Sequence, residues 1–177
     1  MIKILHNLIP AELCNELADH IRQYEKPIGD NLVPNSFSAY ALPKTEELLE
    51  SLTKTIENML GKELYPTYSY CRIYYTGATM PPHTDRNACE ISMSLCVGGE
   101  TWPLWFKDHG PVMLEPGSAV VYPGPLLEHW REEYKGVGCT QVFLHWVDAN
   151  GPFADWRYDR RPAIGSKETD KNYWGKS

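Results

Sequence analysis

Residues 74–96, "YYTGATMPPHTDRNACEISMSLC", place His83 and Asp85 on either side of Thr84. In an extended segment residues i and i+2 project to the same side, so His83 and Asp85 can hold one metal ion while Thr84 points away. The tripeptide alone is a weak signal in a chain with six histidines. A third ligand has to come from a later strand, and "PGPLLEHWREEY" offers His129 in a β-rich segment behind a Pro-Gly turn. Two neutral imidazoles and one carboxylate on one face of an octahedron leave positions open, which suits Fe(II) with O2 and a co-substrate. Zinc takes a tetrahedral set, and calcium or magnesium wants more oxygen ligands. His6, His20 and His109 are read as packing or surface residues. His145 is read as structural and outside the barrel, on the assumption that its apolar neighbours Val142, Leu144 and Trp146 face the interior.

Two helices and a set of short strands must position these groups. "IPAELCNELADHIRQYE" carries Leu13, Leu17 and Ile21 four apart behind Pro10, and "PKTEELLESLTKTIENMLGKEL" carries a stripe from Leu48 to Leu60 with Gly61 as its stop. Residues 26–43 between them show turn residues and no period, and are read as a loop folding over something. After Tyr65 the texture becomes short β-rich runs separated by Gly, Pro, Asp and Asn, the pattern of an antiparallel sandwich or barrel. The expected fold is mainly β with flanking helices: a jelly roll of cupin-like type, with the N-terminal helices packed on one sheet. Ser92, Ser94 and Cys96 would then line the pocket while Ile91, Met93 and Leu95 pack under the helices.

A length of 177 residues fits a single domain with one sizeable core. It divides into a helical buttress at about 8–62, a β core at about 65–150 and a basic tail at about 157–177. That tail holds six Lys or Arg against three Asp or Glu and reads as a solvated end. The five cysteines lack a CxxC pair and read as small buried apolar residues rather than a disulfide framework. A net charge of −6 argues against nucleic acid as partner, and the N-terminus has neither leader-like nor spanning character, so the expected setting is cytoplasmic, away from membranes.

From about Tyr65 to Gly151 the sequence resembles the Fe(II)- and 2-oxoglutarate-dependent oxygenases, in particular their prolyl 4-hydroxylase-like branch. The matching run is Tyr74-x-x-Gly77 six residues before His83-x-Asp85, then a strand, then "LEPGSAVVYPG", then His129, and finally Gly138 with a closing strand to Trp146. The resemblance implies a double-stranded β-helix and iron on His83, Asp85 and His129. It also implies 2-oxoglutarate as co-substrate, decarboxylated to succinate as a substrate carbon is hydroxylated, with ascorbate as a candidate reductant. The substrate would be a prolyl residue, an amino acid or another small molecule, free or on a peptide.

Two positions depart from that pattern. Cys96 stands where the branch often has tyrosine, and the closing strand offers Thr140 beside Gln141 where the branch usually has Lys or Arg for the far carboxylate of 2-oxoglutarate. A buried carboxylate needs an opposite charge or several donors. Arg131 is the first candidate, since on a strand it shares the inward face of His129, and a guanidinium grips a carboxylate with two parallel bonds. Arg72, on the face of Tyr74, and Lys135 follow. Tyr74 resembles the tyrosine that bonds near the co-substrate, and Thr140 or Gln141 would add a neutral donor. Arg86 either contacts substrate or pairs with Glu90, and Trp102, Trp105 and Trp130 are candidate substrate walls. The competing readings are a metal-binding jelly-roll module without co-substrate, and a cupin-like enzyme that does not use 2-oxoglutarate and whose metal acts as a Lewis acid.

Overall fold

The computed structural model describes residues 1–26 and 32–165. In chain order the elements are β1 (Lys3–Leu5), α1 (Ala11–Arg22), β2 (Ser36–Tyr40), α2 (Pro43–Leu60), β3 (Leu64–Tyr75) and β4 (Met80–His83). There follow β5 (Ile91–Gly99), β6 (Leu104–Phe106), β7 (Gly110–Val112), β8 (Ala119–Tyr122), β9 (His129–Arg131) and β10 (Gly138–Asp148). A six-stranded sheet runs β1-β8-β5-β10-β3-β2 and a four-stranded sheet runs β4-β9-β6-β7, every pairing antiparallel. This is the jelly roll the strand spacing implies.

The helices cover one face of the large sheet. Leu17 and Ile21 of α1 and Leu49 and Ile56 of α2 are fully buried, and they meet Met93, Leu95, Val142, Leu144 and Trp146 in one cluster. Pro43 opens α2 with its φ already helical, and Gly61 closes it in the left-handed region at φ 67°, where a side chain would be strained. Alternation then sends Tyr70, Arg72 and Tyr74 of β3 and Phe143 and His145 of β10 to the opposite face, toward the small sheet.

Three elements differ from expectation. Ser36–Tyr40, within the segment read as loop, is an edge strand paired to β3; Pro27–Asn31 of that segment lie outside the described residues. β1 and the proline-containing β4 also escape the pattern, because strands this short, or lacking amide donors, leave little periodicity to read. The tail does not leave the body at residue 157. Arg161 is fully buried and pairs with Glu46 at 2.8 Å, and Gly165 donates its amide to the same carboxylate. Asp159 receives both Arg86 guanidinium nitrogens, at 2.7 and 2.9 Å, and the Tyr40 hydroxyl at 2.6 Å. Residues 166–177 lie outside the described residues.

Candidate metal centre and co-substrate pocket

β4 and β9 pair so that His83 and His129 are direct cross-strand partners, with ring centroids 4.3 Å apart. Asp85 follows two residues later, its amide bonded to the Gly124 carbonyl at 3.0 Å. The Nε2 atoms of His83 and His129 lie 3.8 and 3.7 Å from the same carboxylate oxygen, Asp85 Oδ1. Each Nδ1 faces a backbone carbonyl at 2.9 Å, Pro81 for His83 and Leu127 for His129. A carbonyl only accepts, so both rings carry their proton on Nδ1 and aim an Nε2 lone pair inward. That is the tautomer and second-sphere support a metal-binding histidine needs. Burial pushes the His129 imidazolium down in pKa, with Asp85 pulling the other way, so the ring stays available as a neutral ligand. The three side chains converge with their ligand atoms within 4.8 Å of one another, and this donor set fits a six-coordinate Fe(II) with open positions.

The triad opens on a cavity of about 350 Å³. Tyr74 lines it with a buried hydroxyl that has no partner among the described residues, and Arg131 lies beside that tyrosine with its guanidinium carbon 5.9 Å from the ring. Arg131 is 2% exposed. Its Nη1 donates to the Trp102 carbonyl at 2.6 Å and its Nε has no partner among the described residues. Among the described residues no carboxylate lies within ion-pair distance of Arg131. A guanidinium left buried without a counter-charge is costly unless an anion joins it.

The other sequence candidates fall into two groups. Arg72 lines the cavity with its carbon 5.9 Å from the Tyr74 ring, and it donates to Ser36 Oγ at 2.8 Å. Gln141 faces the same side, with its amide nitrogen 3.1 Å from Cys139 Sγ and its amide oxygen 3.3 Å from Ser94 Oγ. Arg86 lines the cavity too, but its partner is Asp159 rather than Glu90, and it stacks 4.4 Å over Tyr68.

Thr140, by contrast, shares the helix-facing surface of Val142 and Leu144, because it is paired with Ile73 of the main core. It therefore points away from the cavity. Lys135 is an exposed residue paired with Glu133 at 2.7 Å. Trp105 and Trp130 face each other across β6 and β9, on the opposite side from Leu104, Phe106 and His129, so they form no wall of this cavity. Trp102 packs on Tyr74 and Tyr134 behind the cavity and holds Arg131 through its carbonyl.

His145 corrects a further expectation. The apolar face of β10 packs under the helices, not into the barrel, so His145 is buried inside beside His83, Asp85 and His129. Ser92 Oγ bridges it to Asp85, lying 3.1 Å from His145 Nδ1 and 2.8 Å from Asp85 Oδ2. Burial lowers the His145 pKa to about 4. Ser92 was legible in the alternation of "ISMSLC". Tyr122, whose hydroxyl is 3.4 Å from His129 Nε2, and Asp159 carried no sequence signal beyond their type.

The fold is shared with solved 2-oxoglutarate- and Fe(II)-dependent oxygenases, a prolyl 4-hydroxylase among them. A 2OG-Fe(II) oxygenase-family oxidoreductase from Burkholderia pseudomallei superposes with a TM-score of 0.67 at 16% identity, over 85% of this chain and 86% of that one. A prolyl-4-hydroxylase from Pseudomonas putida gives 0.64 at 17% identity, over 83% and 92%. HygX from Streptomyces hygroscopicus, with nickel and 2-oxoglutarate bound, gives 0.69 at 6% identity, over 84% and 83%. No protein-family model and no curated protein sequence matches the chain.

Proposed function

We propose that this chain is an Fe(II)- and 2-oxoglutarate-dependent dioxygenase that hydroxylates a prolyl residue, an amino acid or another small substrate. One observation carries the reading. A two-histidine, one-carboxylate triad opens on a cavity lined by Tyr74, and beside Tyr74 lies a buried arginine with no counter-charge among the described residues, as a chelating 2-oxo diacid would require. His83, Asp85 and His129 would hold the iron. Bound there, the metal supplies oxygen activation coupled to decarboxylation of 2-oxoglutarate to succinate.

The protein's own groups do the rest. Arg131 offers the guanidinium that grips the far carboxylate, and the Tyr74 hydroxyl, without a partner among the described residues, adds a neutral donor beside it. Burial raises the Tyr74 pKa, so the phenol keeps its proton and acts as donor. Arg72 is the second candidate for this carboxylate, and Gln141 completes the polar floor. Arg86, fixed on Tyr68 by Asp159, forms the substrate side of the cavity.

The test is anaerobic addition of Fe(II) and then 2-oxoglutarate to metal-free protein. A visible charge-transfer band is expected, lost in His83→Ala and lost at moderate co-substrate concentration in Arg131→Met. Iron binding without a band would remove 2-oxoglutarate from the reading and favour a metal site that works without it.

A further inference from the structure

Asp85 is constrained by groups outside the ligand set. Ser92 Oγ lies 2.8 Å from Asp85 Oδ2, 3.1 Å from His145 Nδ1 and 3.2 Å from the Cys89 carbonyl. A hydroxyl has one proton, and the carboxylate is the strongest of these acceptors. The serine therefore donates to Asp85, and His145 Nδ1–H donates to the serine. Gly124 closes the remaining side. A Cβ there would sit 2.4 Å from Asp85 Oδ2, 2.6 Å from Ser92 Oγ and 2.5 Å from the Cys89 carbonyl, so no side chain fits. Both histidine Nε2 atoms, meanwhile, face Oδ1.

We infer that Ser92, oriented by His145 and roofed by Gly124, is a positioning residue that keeps Asp85 Oδ2 occupied and so commits the carboxylate to a metal through Oδ1 alone. A carboxylate free to turn both oxygens to the ion would take a second coordination position, one that a chelating 2-oxo acid needs. The inference rests on the metal-site reading above. Asp85, Cys89 and His145 also converge within 4.8 Å, but Ser92 Oγ already bonds two of the three, so the cluster is a hydrogen-bonded support rather than a second ion site.

The experiment is titration of the full chain with Co(II) at pH 7.5, followed by calorimetry and by the visible ligand-field spectrum, with thermal unfolding of each metal-free variant alongside. Ser92→Ala is expected to lose about 10–100-fold in Co(II) affinity and to change the spectrum, in the range typical of second-sphere losses. His145→Leu should move in the same direction. His145→Asn, which keeps a donor near the Nδ1 position, should stay within about threefold of the wild type. Wild-type affinity and spectrum in Ser92→Ala and His145→Leu would overturn the inference. Should Ser92→Ala fail to fold, the contrast between His145→Leu and His145→Asn decides it, equal affinities counting against. A wild-type chain that binds no Co(II) would instead overturn the metal-site reading itself.

Discussion

Arg131 lies with its guanidinium carbon 4.9 Å over the Trp102 ring while donating to the carbonyl of that same residue at 2.6 Å. One tryptophan thus holds the cation by ring face and by backbone, and no carboxylate among the described residues shares it. On the proposed reading, a charge held this way would serve a ligand at the expense of the empty fold. Arg131→Met should therefore stabilise the metal-free protein, by about 1–3 kcal/mol, the range seen when buried charges give way to apolar groups. The same variant should weaken 2-oxoglutarate binding by about 100-fold or more, since a truncated buried charge contact costs at least a few kcal/mol. Urea denaturation and co-substrate titration read the two effects, and a variant losing both stability and binding would show that Arg131 is structural.

His145 makes the metal-free protein acid-sensitive. Its pKa is lowered from 6.5 to about 4 in the fold, mainly by burial, with Asp85 opposing. Between those values the unfolded chain binds a proton that the folded chain does not, so stability rises with pH through the window and is lost as pH falls from 6.5 toward 4. The contribution is at most about 3–4 kcal/mol. Denaturation midpoints measured across the window should fall for the wild type and fall less steeply for His145→Asn.

The buried Arg161–Glu46 pair ties the C-terminal segment to α2. Arg161→Met leaves the buried Glu46 side chain with bonds from Ser69 and Gly165 alone among the described residues, and breaking such a pair costs about 3–5 kcal/mol. Equilibrium unfolding measures that loss. Because residue 159 belongs to the same segment, limited proteolysis after residue 153 should also speed up.

Trp130 lies on the far side of β9 from His129. Trp130→Ala should leave Co(II) and 2-oxoglutarate affinities within about threefold of wild type, whatever it does to stability, because its ring pairs with Trp105 on the face turned away from the cavity. A large loss of co-substrate affinity in this variant would contradict the facing assigned to β9.

Much of this was legible because it is local. The helices, seven of the strands and the His83-x-Asp85 geometry follow from spacing and alternation, and His129 from a Pro-Gly turn before a β run. Arg131 follows from strand parity with His129. What failed depended on knowing which face of a strand the helices take. Val142, Leu144 and Trp146 look like a barrel lining, and only the packing of α1 and α2 turns them outward and His145 inward. Asp159 was hidden for another reason. It sits in a run of three left-handed residues, Tyr158, Asp159 and Arg160 at φ 55°, 58° and 60°, which no propensity favours and which tertiary bonds to Arg86 and Tyr40 must offset.

The pairing of His83 with His129 has a mechanical side. They sit on strands of four and three residues, in a sheet whose other strands also have three, so few backbone bonds hold that layer together. A cation between the two rings would act as a clasp, joining positions 83 and 129 and closing a long loop of chain. The amides of Met80 and Arg131 should then exchange with solvent more slowly once metal is added, while those in the middle of β10 change little. The small sheet would breathe without its ion and be still with it.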